Sequence, residues 1–314
     1  MDVIAVGELL IDFVQIDQTE HDAPLMAANP GGAPLNYLGA LAKYGCACGM
    51  VGKVGTDVFG DVLIQTLRGH SIEWLGQKTD EAFTTLAFVS LDERGERSFS
   101  FSRKPGADTR LRSDEIPFGA IKQAKIFHFG TLSLTDEPAR SATMDAVRFA
   151  KENGVPITFD PNYRAMLWKT EADARAAMLW GFAHADIVKA GADELEFAFQ
   201  KPWRDALNGL LANGVMLAFA TMGSEGCFFA SGHAAGFVDA YRVAAVDTTG
   251  AGDIFFGSAM SRIIKGGVPV YEMSKERILR AARFGAAAAA LSTKKPGGLL
   301  SIADESEVLA LVRG

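Results

Sequence analysis

Short apolar segments alternate with helical segments along almost the whole chain, and this limits the fold more than any other feature. "DVIAVGEL", "CACGMVGKVG", "AKIFHFGTL", "PITFDPN", "ADIVKAG", "VMLAFATMG" and "GCFFASG" read as strands. "APLNYLGALAKYG", "DVFGDVLIQTLRGH", "ARSATMDAVRFAKENG", "EADARAAMLWGFAHA" and "RDALNGLLANG" carry helical spacing between several of them. Strands separated by helices of about 10–15 residues predict a mostly parallel sheet covered on both faces. With 314 residues and 48% hydrophobic content, the expectation is one α/β domain spanning 1–314. One segment breaks the rhythm. "FTTLAFVSLDERGERSFSFSR" reads as a β-hairpin with its turn at Gly95, placing Arg97, Phe99, Phe101 and Arg103 on one strand face. "LLIDFVQI" is a further β-prone piece. The two predict a small second sheet from roughly 11–33 and 84–110, either a lid over a site or a dimer contact. "AAAAA" at 286–290 reads as a tightly packed helix.

The stretch "DTTGAGDIFFGSAM", 247–260, carries the chemistry. Asp247 and Asp253 flank a Gly-Ala-Gly turn, and Ile254, Phe255, Phe256, Met260, Ile263 and Ile264 then recur at helical spacing. "GFVDAYRVAAV" before it reads as a strand, so the expected order is strand, glycine turn, helix start. Such a turn aims unpaired N–H groups and the positive end of a helix dipole at one point, which suits an anion. An acid at that point suits anion transfer better than anion storage.

Several classes are excluded. A net charge of −7 argues against a nucleic-acid surface, so any phosphate must be held by local N–H groups, a few basic side chains and metal ions. No apolar run reaches membrane length, and the N-terminus lacks the basic region of a signal peptide, which predicts a cytoplasmic protein without membrane partners. Cys46, Cys48 and Cys227 form no disulfide framework, and the five histidines show no ligand spacing. A P-loop fails at Gly52-Lys53, because Val54 follows and Ala47 stands where the first glycine belongs. A dinucleotide fingerprint begun at Gly250 fails at Phe255.

The same stretch resembles the C-terminal signature of the ribokinase-like carbohydrate kinase family, D-T-x-G-A-G-D followed by a helix. "GGAPLNYLGALAKYGCACGMVGKVGTDVFGD", 31–61, resembles that family's N-terminal signature, in the correct order and more than 180 residues upstream. Within the family, "GGAPLN", "ERSFSFSRKPGAD", "LSLTDEPARSAT" and "DPNYRAMLW" are most similar to the fructokinases. The resemblance implies a ribokinase-like α/β fold with a small β-sheet lid. It also implies transfer of the ATP γ-phosphoryl to a sugar hydroxyl, with fructose to fructose 6-phosphate as the leading reading. A 2-keto-3-deoxygluconate kinase is the alternative, its carboxylate met by Arg103 and Arg164. A catalytically inactive sugar-binding regulator is the reading from another class, and the intact Asp253 argues against it.

Residue by residue, the resemblance makes Asp253 the base and the N–H groups of Gly250, Ala251, Gly252 and Asp253 the anion hole. Asp12, Gly31, Gly32 and Asn36, with Arg103 and Arg164, fall to the sugar. Lys189, Thr221, Gly223, Gly226, Gly252 and Gly285 fall to the nucleotide. Glu194 is expected to reach Mg²⁺ through water, and Asp247 and Thr249 to hold K⁺ or another monovalent cation. Gly191 and Gly285 depart from the family pattern, which often has asparagine there. The sugar and ATP are the expected partners, with a homodimer through the lid.

Overall fold

The computed structural model describes residues 1–19, 21, 23–91 and 97–313, without the side chains of 90, 91 and 97–99. The expected turn at Gly95 and the facing of Arg97 and Phe99 lie outside the described residues. Strands β1 (Val3–Val6), β2 (Leu10–Gln18), β3 (Pro24–Gly31), β4 (Cys48–Val51), β5 (Lys53–Gly55), β6 (Ile72–Trp74), β7 (Gln77–Thr79), β8 (Thr85–Leu91) and β9 (Arg97–Ser102) are followed by β10 (Ile126–Gly130), β11 (Ile157–Asp160), β12 (Ile187–Gly191), β13 (Leu217–Thr221), β14 (Gly226–Ser231) and β15 (Ala235–Asp239). Nine of them form one sheet in the order β15-β14-β13-β12-β11-β10-β1-β4-β6. It is parallel from β6 to β13 and ends in two antiparallel strands.

Helices are numbered in chain order. α1 (Ala33–Lys43), α2 (Val58–Gly69), α8 (Ala251–Lys265) and α9 (Lys275–Ser292) cover one face of the sheet. α3 (Phe118–Gln123), α4 (Ala139–Glu152), α5 (Glu171–His184), α6 (Ala192–Phe199) and α7 (Trp203–Ala212) cover the other. The strand period of two divides the core accordingly. Val3 and Ala5 of β1 pack into the first layer, and Ile4 and Val6 into the second. α10 (Glu305–Arg313) docks outside, its Val308 fully buried beside Tyr44 and Phe284. Among the described residues no helix is long and apolar enough to cross a membrane.

A second sheet has the order β3-β2-β8-β9. β2 and β8 run parallel, and β3 and β9 flank them antiparallel. Asp12, Ala87 and Phe101 stand in one cross-strand row, and Phe13, Phe88 and Ser100 in the next, which points to the opposite face. Phe13 stacks on Phe88 at 5.3 Å and meets Phe59 of α2 edge-on at 5.5 Å.

One expected element is shorter than the sequence implied. The strand expected through 236–246 stops at Asp239, and 240–250 has neither strand nor helix. β15 is an edge strand of the main sheet, while α8 lies over its centre, so the chain must cross the layer between them. That crossing is tied down where Val246 and Asp247 donate to the Thr293 carbonyl at 2.7 and 2.9 Å.

Candidate active site

Strand order reverses beside β1, which has β10 on one side and β4 on the other. In an open α/β sheet, the crevice beyond the carboxyl ends of the strands at such a point is where ligands sit. Here those ends are mostly polar. Glu8 follows β1, Leu132 follows β10, Asp160 closes β11 with Asn162 after it, and β12 carries Lys189. β2 rises from the same place with Asp12, and α8 begins opposite. All of these except Asp160 line a cavity of about 470 Å³, a volume suited to a small molecule.

Gly250 precedes α8 in the left-handed region, φ 73°, which most side chains avoid, and the helix starts at Ala251. Asp253 is therefore its third residue. The N–H groups of a first helical turn have no partner within the helix. Ala251 is already engaged, donating to the Thr248 carbonyl at 3.2 Å. Among the described residues no backbone partner is found for the N–H groups of Gly250, Gly252 and Asp253, the other three donors expected from sequence.

The Asp253 carboxylate is buried and accepts from Nδ2 of Asn36 at 3.0 Å. Burial pushes its pKa above the usual aspartate range; Lys189, the Asn36 bond and Arg164 pull it back, and Glu194 pushes it up. Lys189 is buried too, its Nζ 2.8 Å from Asp160 Oδ2. Burial alone would depress this ammonium. The carboxylates of Asp160, Glu194 and Asp253 outweigh burial and hold it above the ordinary lysine range. The Lys189 ammonium thus stays charged, and it stands beside the glycine turn, where a Cβ on Gly252 would come within 2.9 Å of its Nζ.

Asp12 faces the cavity from β2, its pKa pushed to about 6 by burial, with Arg164 opposing and Asp247 reinforcing the shift. Gly31 makes room for it: a Cβ there would stand 2.1 Å from Asp12 Oδ2. Gly32, Asn36 and Arg164 line the same cavity. Glu194 caps α6, with Oε1 accepting from the Tyr163 N–H and Oε2 from the Gly191 N–H, both at 2.7 Å. Thr221 pairs with Gly191 across β12 and β13, so the turn bearing Gly223 and Gly226 shares a rim with the start of α6. Asp247 is buried, accepting from Thr249 N–H at 2.7 Å and from Gly297 N–H at 3.3 Å. Among the described residues no cluster of three or more His, Cys, Asp or Glu forms a metal cage.

Two expected contacts are elsewhere. Arg103 follows the end of β9 and does not reach the cavity wall. Its guanidinium is buried, donating to Asp108 Oδ2, to Thr135 Oγ1 at 2.7 Å and to the Leu132 carbonyl at 2.9 Å. The alternation that assigned it to the Phe101 face ends at Ser102. Gly285 lies inside α9 against α8, where a Cβ would come within 2.7 Å of the Phe255 carbonyl. Glycine there permits helix–helix contact, and the residue offers no surface to a nucleotide. Sequence reasoning also passed over Glu8, Asp160, Asn162 and Thr248. Glu8 carried the same signal as Asp12, a charge inside the apolar run "VGELLIDF". Its buried carboxyl is pushed to about 7 by desolvation, against its bonds to backbone N–H groups including Ala33. Asp160 had no periodicity to mark it, because a buried ion pair at strand ends exists only once β11 and β12 are adjacent.

A mostly parallel sheet between two helical layers, a four-stranded side sheet and an acid at a glycine-turn helix start define a ribokinase-like protein. Residues 1–305 match the description "pfkB family carbohydrate kinase", and the chain belongs to that family. It is 38% identical to fructokinase-1 of Zea mays over 315 residues, covering 99% of this chain and 97% of that protein. A Xylella fastidiosa fructokinase structure with bound ATP superposes with a TM-score of 0.90 at 31% identity, covering 99% of this chain and 98% of that one. A Vibrio cholerae O395 fructokinase superposes at 0.88 and 28% identity, covering 99% of each chain, in a structure with fructose, ADP and calcium ion. A double mutant of that enzyme, with fructose, ADP and potassium ion, gives the same TM-score and identity and covers 99% of this chain and 98% of that one.

Proposed function

We propose that this carbohydrate kinase transfers the γ-phosphoryl of ATP to a hydroxyl of fructose, giving fructose 6-phosphate. The observation that carries the reading is Asp253, buried on the cavity wall at the first turn of α8, with Lys189 and Asp12 facing the same space. The fructokinase relatives supply the sugar. Asp12, Gly32 and Arg164 hold its hydroxyls, which are costly to bury without partners. Thr221, Gly223 and Gly226 take the nucleotide. The N–H groups of Gly250, Gly252 and Asp253 and the Lys189 ammonium meet the charge that develops on the transferring phosphoryl.

Asp253 accepts the hydroxyl proton. A carboxylate is a weak base for an alcohol, so proton transfer comes late, once the oxygen has begun to bond phosphorus. Burial helps by bringing its pKa nearer working pH. Glu194 has a lone pair left on each oxygen beyond its backbone bonds, which fits the water shell of Mg²⁺. Asp247 and the Thr249 segment fit a monovalent cation such as K⁺ that braces the turn before α8. When bound, the magnesium neutralises charge between the phosphates.

The sheet of β2, β3, β8 and β9 acts as the lid over the sugar, within 11–33 and 84–110, and excludes water during transfer. Its exposed Ile16, Leu25 and Phe88 support a homodimer through this sheet. A cytoplasmic location fits the need for ATP and three free, buried cysteines. The engagement of Arg103 away from the cavity counts against ketodeoxygluconate, because only one of the two arginines proposed for its carboxylate lines the site.

The test is ADP release from MgATP with fructose, ribose, adenosine, ketodeoxygluconate and tagatose in parallel. Fructose should give the highest kcat/KM, and Asp253→Asn should lower kcat by about 10²–10⁴-fold while still binding fructose. A better substrate than fructose overturns the sugar assignment. A variant retaining a tenth of the wild-type rate removes Asp253 from the base role.

A further inference from the structure

Asn36 lines the cavity, and its side chain bonds the protein through both Oδ1 and Nδ2, with a second N–H on Nδ2 beyond those bonds. It lies in the first turn of α1 and is 5% exposed. The Leu299 N–H donates to its Oδ1 at 2.9 Å. An N–H can be met only by the oxygen, so this bond sets which way the amide points. Nδ2 is thereby turned to Asp253 and donates to Oδ2 at 3.0 Å. Two glycines press on the amide. A Cβ on Gly250 would stand 2.8 Å from Nδ2, and one on Gly298 would stand 2.8 Å from Oδ1. Gly298 belongs to the turn whose Gly297 N–H reaches Asp247. One amide therefore joins three separate parts of the chain: α1, the start of α8 and the turn at 297–301.

We propose that Asn36 is a positioning residue for phosphoryl transfer. It holds one oxygen of the Asp253 carboxylate, so that the other faces the sugar hydroxyl, and it locks the 297–301 turn to the turn that binds the anion. The proposal rests on the reading of Asp253 as the base. It explains why an amide stands here. An acid would keep the Leu299 bond but would set a carboxylate oxygen 3.0 Å from Asp253 Oδ2, the present Nδ2 distance. Two carboxyls that close share a proton and do not both ionise. The other charged groups around Asp253 come from five elements. Lys189 of β12 and Arg164 after β11 favour its ionised form, Asp160 of β11 and Glu194 of α6 oppose it, and Glu8 after β1 and Asp12 of β2 line the same cavity.

Asn36→Asp is the informative variant, because it is nearly isosteric and a carboxylate still accepts from sugar hydroxyls. Two quantities are read: kcat against pH at saturating sugar and MgATP, and fructose Kd without nucleotide by calorimetry. At pH 7, kcat should fall about 100-fold or more. It should recover as pH rises, with the acid limb moved up by about two pH units or more. Fructose Kd should stay within about 3-fold. Asn36→Ser takes away the amide N–H and shortens the side chain without adding charge, and should lower kcat about 10-fold with the same small change in Kd.

Retained kcat with weakened fructose binding would make Asn36 a sugar contact and overturn the proposal. A fall in kcat for Asn36→Asp with no movement of the acid limb would make it a structural residue and also overturn it. If melting curves show that Asn36→Asp does not fold, the serine variant decides, and wild-type kcat there overturns the proposal. Wild type is run beside them. If it prefers another sugar of the panel, the fructose assignment fails, and the same profiles are read with that sugar. If Asp253→Asn keeps its rate, the base reading falls, and this inference falls with it.

Discussion

Gly285 shows how far a single residue can be read from its neighbours in sequence. Within "ARFGAAAAAL" nothing distinguishes a glycine that meets a ligand from one that meets a helix. Packing distinguishes them, because the Phe255 carbonyl and the Ala259 Cβ lie 2.7 and 3.1 Å from where a side chain would begin. Gly285→Asn should therefore overpack the α8–α9 contact and cost about 1–3 kcal/mol, read as a lower urea midpoint with an unchanged m-value. KM for ATP should stay near wild type in the protein that remains folded. Unchanged stability together with a shifted KM for ATP would restore Gly285 to the nucleotide site. Asp12 and Glu8 behave differently. Each is an acid inside the apolar run "VGELLIDF"; the residue type pointed to Asp12, and Glu8, which carried the same signal, was passed over.

At the scale of elements, the end of β9 decides what Arg103 does. The resemblance assigned it to the sugar, and a strand period carried one residue too far put it on the Phe101 face. The structure turns the chain after Ser102 and buries the guanidinium against Asp108, with side-chain exposures of 4% and 2%. Thr135 Oγ1 and the Leu132 carbonyl complete its partners, so this side chain clamps the side sheet to the segment after β10. Arg103→Ala would leave Asp108 buried and unpaired, and breaking a buried pair costs about 3–5 kcal/mol. The expected result is a large loss of stability in urea at pH 7, larger than any change in fructose binding by the folded fraction. Wild-type stability with a raised KM for fructose would return Arg103 to the sugar. The shortened strand before α8 has a similar origin. Local β-propensity in "AYRVAAV" could not register that the next helix lies over the middle of the sheet.

Over the whole molecule, a wall of buried acids makes stability depend on pH. Glu8 is 2% exposed, and its carboxyl is raised from 4.5 to about 7. Between these values the folded state holds a proton that the unfolded state has lost, so stability falls as pH rises from about 4.5 through about 7. At about 1.4 kcal/mol per pH unit, this one group accounts for at most about 3 kcal/mol. Asp12, raised to about 6, acts in the same direction. Glu8→Gln keeps an acceptor for the Ala33 N–H and removes the titration. Its urea stability should change less between pH 5 and pH 8 than that of wild type, and it should be the more stable protein at pH 8. Parallel pH profiles for the two would show that Glu8 does not titrate in this window.

Along the chain, the sequence by itself determined the order of strands and helices, the parallel sheet, the existence of the side sheet and the glycine turn with its acid. These depend on periodicity and on residues within a few positions of one another, which a linear reading contains. Only the tertiary structure decided which partner each polar group takes. Asn36 meets Asp253 and Leu299, 217 and 263 residues away. Lys189 meets Asp160 because two parallel strands end side by side, and Arg103 finds Asp108 and Leu132 because β9 stops where it does. Desolvation then sets the charge of each group, and desolvation belongs to no single residue. It arises only when the sheet, both helical layers and the side sheet have closed around the cavity.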